Sequence, residues 1–347
     1  MFKRILPILL LAATTAMAQQ VPPYGEKVDV NLVQLDAVVT DTHGHQILGL
    51  DKSDFVVREN GVPQTIDSVD YFTNRTLLDE PENKAPFKAE QIHEQRYFIF
   101  FFDKPTDNAA FFDRLNLARR AAHEFVDHEM KPADFVAIVA HDVRLKVYSD
   151  FTQNRKQLDK AIDETAMYGK GLTAAQAGPT GPSILRNATD NLIDQTGTVY
   201  EALQYIGDAT RSIHARKNVA LFTAAIFAPG EEIHGGMVIG TSRYYDPMVR
   251  SLNRANVTVY PISLLEDPNH PMYIDQTPAR IAADTNGEYF RMNTSFTPAL
   301  RRIEEQTNGY YLISYYTSPK SGSGYQKVQV ALKNPEFKIR ARQGYAY

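Results

Sequence analysis

The stretch Arg96-Tyr-Phe-Ile-Phe-Phe-Phe-Asp103-Lys-Pro-Thr106-Asp107-Asn108 runs six apolar residues straight into an aspartate. An unbroken apolar run reads as a strand covered on both faces. In an open α/β sheet the ligand crevice lies at the carboxyl ends of the strands. Asp103 stands at that end of the run, and Thr106 and Asp107 add two oxygen-bearing side chains close behind it. This is how a buried strand would offer a carboxylate to a metal.

The grammar downstream supports such a sheet. Residues 109–130 carry Phe112, Leu115, Leu117, Ala118, Ala121, Phe125 and Val126 on one helical face. Strands are expected over 134–140, 145–148, 218–223, 257–262 and 288–290. Helices are expected over 154–165, 198–213, 244–256, 280–285 and 298–307, the last two closed by Asn-Gly. Residues 169–181, rich in Gly, Ala and Pro, read as a mobile loop, and 231–243 as another loop. Strands alternating with helices call for a mostly parallel sheet with helices on both faces.

Both ends of the chain read differently. Val33, Leu35, Ala37 and Val39 alternate, out of phase with Val28, Val30 and Leu32, so a bulge or a two-sided strand is expected there. Asn60-Gly61 is a strong hairpin signal, because both residues tolerate positive φ. Residues 310–316, 328–332 and 337–341 form three further strands. Neither end has enough strands to stand alone. The expected fold class is therefore α/β, a mostly parallel sheet flanked by helices and inserted into an antiparallel β-sandwich made of the two terminal segments. The expected boundaries are a signal peptide at 1–18, sandwich halves at 19–73 and 310–347, a polar linker at 74–95 and the α/β domain at 96–309. The paired tyrosines 310–311 and 315–316 alternate between faces, so one set belongs to the core.

Lys3 and Arg4, an apolar run over 5–13 and Ala16-Met17-Ala18 have the form of a secretory signal cleaved near Ala18. A periplasmic or secreted protein is expected, with no membrane insertion. The 347-residue chain contains no cysteine, which excludes disulfides and thiol catalysis. Without the signal it holds 35 basic and 41 acidic residues, about −6, so no nucleic-acid partner is expected.

The segments LDAVVTDTHGHQILGLDKSDFVVRENGVPQTI, YFIFFFD, YYLISYYT and KIRARQGYAY resemble the von Willebrand factor A-related proteins common in Acidobacteria, in order and over most of residues 28–347. The resemblance implies a von Willebrand factor A-like (Rossmann-like) domain, a module that often binds other proteins. It also implies a metal-ion-dependent adhesion site built on Asp-x-Ser-x-Ser, a Thr from a second loop and an Asp after the fourth strand. Asp103 matches the first position, Pro105 replaces the first Ser and Asp107 the second. The second-loop Thr is Thr196 or Thr198, and Thr198 completes the expected set Asp103, Asp107 and Thr198. Thr223-Ala224-Ala225 stands where the last Asp belongs. Mg²⁺ requires a near-ideal octahedron of oxygens, which this set does not complete. The preferred role of Asp103 is then to cap the following loop or to pair with Lys104 or an Arg, and that of Asp107 to cap the helix that follows.

Nine histidines are scattered, with no metalloprotease, nucleophile-elbow or phosphate-loop motif. The expectation is a non-enzymatic protein, without cofactor, that binds an unknown protein partner through loops at the sheet's carboxyl edge. The alternatives are a divalent-metal module using Mg²⁺ or Mn²⁺ at a degenerate site, an envelope component, or a hydrolase of unrecognised type.

Overall fold

The computed structural model describes residues 31–73, 89–90, 95–104, 110–167, 169–186, 188, 195–213, 215–239, 242–267, 269–291, 294–318 and 324–346. The expected signal peptide, most of the linker, and Asp107 lie outside the described residues. In chain order the elements begin with β1 (Asn31–Thr40), β2 (Phe55–Glu59), β3 (Val62–Gln64), β4 (Ile66–Thr73), β5 (Ala89–Glu90) and β6 (Tyr97–Asp103). Then come α1 (Ala110–Glu124), β7 (Phe135–His141), β8 (Leu145–Thr152), α2 (Arg155–Glu164), α3 (Val199–Ala209) and β9 (Lys217–Thr223). A ribbon of β10 (Glu232–His234) and β11 (Met237–Ile239) precedes α4 (Ser242–Arg254), β12 (Val257–Ser263), α5 (Tyr273–Asp284) and α6 (Thr297–Thr307). β13 (Gly309–Thr317), β14 (Tyr325–Leu332), β15 (Lys338–Ala341) and β16 (Gly344–Ala346) follow.

The opening stretch becomes the middle strand of a five-stranded sheet ordered β12-β9-β6-β7-β8. It is parallel except for β8, which returns antiparallel to β7. All seven residues of β6 are buried. Tyr97, Ile99 and Phe101 enter one core with α3 and α4, while Phe98, Phe100 and Phe102 enter the other with α1, α2 and α6. Side-chain alternation along the strand produces this division. Burying each phenylalanine contributes roughly 1.5–3 kcal/mol.

The stripe on α1 runs from Phe111 through Leu115, Ala118 and Ala122, and continues to Val126 in a π-helical turn at Phe125–Glu129. Phe112, expected on this face, is 44% exposed, because the four-residue step back from Leu115 falls on Phe111 instead. Of the expected strand at 288–290, an isolated bridge between Phe290 and Ile262 is formed. The 169–181 segment, expected to be mobile, lies against β8 through Leu172, whose N–H donates to the Val147 carbonyl at 2.6 Å.

The two ends of the chain pair with each other. One antiparallel-dominated sheet is ordered β15-β1-β13-β4-β5, and a second β16-β14-β2-β3. Both contribute to one hydrophobic cluster, with Leu35, Ala37 and Val39 of β1, Phe55 and Val57 of β2, and Val328 of β14. Tyr311 and Tyr315 are the buried tyrosines, and Tyr316 is half exposed. Val28 and Val30, on which the expected phase change rests, lie outside the described residues, and Leu32 is half exposed; β1 itself pairs without a register shift and is buried on both faces only toward its end, at Val38 and Val39. Asn60 (φ 48°) and Gly61 (φ 84°) form the β2–β3 turn, the double positive φ that an Asn-Gly hairpin requires.

A buried ion network holds the place where the chain passes between the α/β sheet and the terminal sheets. Arg96 donates to both oxygens of Asp134 (2.8 and 2.6 Å), to Glu304 (3.0 Å) and to Asn308 Oδ1 (2.6 Å). The Asn308 carbonyl accepts from the Thr73 hydroxyl at 3.1 Å, tying the end of β4 to the start of β13.

Candidate functional site

Several strands of the α/β sheet end in a polar residue at the same edge. β6 ends at Asp103, β7 at His141, β9 at Thr223 and β12 at Ser263. Asp103 and His141 are direct register partners. The Thr223 hydroxyl donates to Asp103 Oδ2 at 2.6 Å, and His141 Nδ1 lies 3.4 Å from Asp103 Oδ1. The other ring nitrogen of His141 meets the Thr196 carbonyl at 3.0 Å. Asp103 is thus bound to side chains of its two neighbouring strands. The loop that it was expected to cap, 105–109, lies outside the described residues; its contacts among the described residues come from in-register strand ends.

A pocket of about 380 Å³ opens beside this cluster, and Asp103, Lys104, His141, Asp142 and Thr198 line it together with Phe227. Lys104 is buried, its ammonium 6.0 Å from the centre of the Tyr148 ring. Burial pushes its pKa down to about 8, with Arg119 and Lys146 adding to the fall and Asp142 opposing it. Asp142 is bonded by Lys146 at 2.6 Å and by the Val143 N–H, which hold its pKa below the usual range although burial works the other way.

The expected ligand residues divide. Asp103 and Thr198 line the same pocket. Thr198 is also the N-cap of α3: its hydroxyl accepts from the Glu201 N–H (3.2 Å), and the Glu201 carboxylate accepts from the Thr198 N–H (3.0 Å). Thr196, the other candidate, lies behind His141 and accepts from the Leu145 N–H at 2.8 Å. Among the described residues no group of three or more His, Cys, Asp or Glu could hold a metal. With Asp103 hydrogen-bonded to Thr223, Thr198 committed to its helix and a lysine in the lining, the described residues do not fit a hard divalent cation.

Among the described residues that line this pocket, no nucleophile–base pair is formed. His141 touches the carboxylate and a carbonyl, while the Thr223 hydroxyl bonds Asp103 and not the imidazole. A triad needs the base on the nucleophile. Histidine spacing along the chain does not single out His141. Its signal was a second apolar run, Phe135 to Ala140, stopping at a polar residue as the Asp103 run does.

The pocket rim is apolar. Phe227 (42% exposed) packs near Tyr273 at the start of α5, and Met272 beside it is 75% exposed. The β10–β11 ribbon attaches to the same helix through Gln276, which donates to the Gly236 carbonyl at 2.7 Å and accepts from the Val238 N–H. Ile233, Met237 and Ile239 of the ribbon are each more than 40% exposed.

No family model and no curated protein matches the chain. Among solved structures it is similar to a point mutant of the PilB minor pilin from Streptococcus sanguinis, at 10% identity over 80% of this chain and 78% of that one, with TM-score 0.40. It is also similar to the conserved hypothetical protein BatB from Bacteroides thetaiotaomicron (14%, 61% and 97%, TM-score 0.38). Human COPII-coat protein Sec24c is matched at 10% identity over 73% of this chain and 43% of that one, with TM-score 0.41. Similarities at these TM-scores carry no argument about function. Among the described residues, no helix is long and apolar enough to cross a membrane.

Proposed function

We propose that the chain is an exported, non-enzymatic binding protein, cleaved near Ala18. In this reading a von Willebrand factor A-like unit at 96–309 is inserted into a β-sandwich made of 19–73 and 310–347. It grips a protein partner at the carboxyl edge of its parallel sheet and needs no metal to do so. The observation that carries the reading is the apolar side of the Asp103 pocket, lined by Phe111, Phe227, Leu265 and Ile274, with the exposed Met272 and ribbon residues held at or against α5, the helix that brings Ile274 to the pocket. Exposed apolar clusters of this kind mark protein-binding sites. The order β12-β9-β6-β7-β8, with its one antiparallel strand at the edge, and the cluster shared by the two terminal sheets support the architecture.

A second reading, a metal-dependent adhesion module, draws on Asp103 and Thr198 lining one pocket. One experiment separates the two. Immobilised wild type and a Phe227→Asp/Met237→Asp double variant are exposed to extracts of the native cell envelope, with and without EDTA. The expected result is a protein retained by wild type in both conditions and lost from the variant. Retention that EDTA abolishes would favour the second reading, and equal retention by the variant would reject this rim.

A further inference from the structure

A second cleft, of about 500 Å³, lies between α5 and the edges of the terminal sheets. Residues 327–330 of β14 and 339–343, at and after β15, line it as consecutive runs. Successive side chains of a strand point to opposite faces, so consecutive lining residues mean that the cleft runs along the backbone edge. These edges are open among the described strands. β15 is the outer strand of its sheet. β14 pairs with β2 along 328–332, while its opposite side meets β16 along 325–327 and the Gln343 carbonyl at the Val328 N–H (2.8 Å), leaving that side open from residue 329 onward among the described strands. On the other wall, Ala279, Ala282, Ala283 and Gly287 leave room for a chain.

The cleft carries more positive than negative charge. Arg340 reaches Glu288 only at 3.4 Å, and the same carboxylate oxygen already accepts from Arg302 (3.0 Å) and Gln306 (2.6 Å). Arg342 donates to the Asn253 carbonyl at 3.0 Å, and its nearest described carboxylate, Asp36, lies 3.8 Å away. Burial and the nearby Arg216 hold both guanidiniums below the usual arginine range. Lys327 adds an exposed cation. The lining also contains an unsatisfied acceptor: Asn286 is 3% exposed, and its Oδ1 has no hydrogen-bond partner among the described residues.

We propose that this cleft binds an extended acidic segment of a partner protein, which adds as a strand along β15 and sets its carboxylates against Lys327, Arg340 and Arg342. A peptide backbone supplies both what the strand edges lack and an N–H for Asn286, and acidic side chains answer the surplus cations. Strand addition of this type takes its affinity from main-chain bonds and its selectivity from alternate side chains. The site is separate from the Asp103 pocket and does not depend on how that pocket is read.

The test uses the mature chain and a fluorescein-labelled Thr-Glu-Val-Glu-Val-Glu peptide, with a Gln-for-Glu peptide as control. Polarisation is expected to show saturable binding of the acidic peptide and at least about tenfold weaker binding of the control, the loss of an electrostatic match. Lys327→Glu, at an exposed position, and Arg340→Gln should each weaken it about fivefold or more. Amide exchange should slow at 329–330 and 339–341 when the peptide is bound. Absent or equal binding of the two peptides overturns the proposal, as does indifference to both substitutions. Displacement by millimolar inorganic phosphate without strand protection would make this a small-anion site and overturn it equally.

Discussion

The two ends of β6 are built on opposite plans. At the amino end, Arg96 is 5% exposed and bonded to Asp134, Glu304 and Asn308, and the space beside it is about 20 Å³. At the carboxyl end, Asp103 is equally well bonded, to Thr223 and His141, yet opens onto about 380 Å³ beneath an apolar rim. Satisfied polarity is therefore common to both ends, and room is not. The amino end clamps the chain where it passes between sheets, and the carboxyl end presents a surface.

The largest effect should come from the clamp. Arg96→Met removes the buried guanidinium from Asp134 and Glu304, leaving them the Lys131 N–H and the half-exposed Lys131 ammonium respectively, and should lose about 3–5 kcal/mol in urea unfolding. A loss under about 1 kcal/mol would erase the contrast between the ends. The same edge holds the opposite case. Lys217, at the first position of β9, is 0% exposed, with its ammonium on the Ile213 carbonyl, and burial pushes its pKa down to about 7. Lys217→Met should gain about 2 kcal/mol at neutral pH, since a buried cation without a close counter-ion disfavours folding. In wild type the folded chain releases this proton near 7 and the unfolded chain only in the usual lysine range near 10.4. Between those values the unfolded state binds more protons, so stability should rise with pH, and the variant should lose that slope.

At the carboxyl end the expected changes are smaller. Thr223→Val removes the hydroxyl from Asp103 and should lose about 1–2 kcal/mol. Thr198→Ala should lose about 1 kcal/mol, the worth of an N-cap. Equilibrium denaturation measures both, and losses matching that of Arg96→Met would make the carboxyl end a second clamp.

Much of the sheet could be read from residues 97–102, 218–223 and 257–262, because a strand buried on both faces leaves an unbroken apolar run. The β10–β11 ribbon could not be read that way. Its strands have three residues each, too few for alternation to show, although Gly235-Gly236 between them is a two-residue hairpin turn with φ of 57° and 79°. The candidate site was half legible. Asp103 announces itself by ending an apolar run. The roles of His141 and Thr223 depend on register across three strands, which no local pattern encodes. Thr198 was legible as a threonine near a helix start, but its capping box with Glu201 competes with ligation, and only the side-chain geometry shows which bond it makes.

The most direct test of the carboxyl-end account is calorimetric titration of the mature protein with Mn²⁺ and Mg²⁺, beside an Asp103→Ala variant. The account predicts no saturable heat in either protein, because Thr223 and His141 already engage the carboxylate. Saturable, one-to-one heat in wild type that disappears in the variant would contradict it.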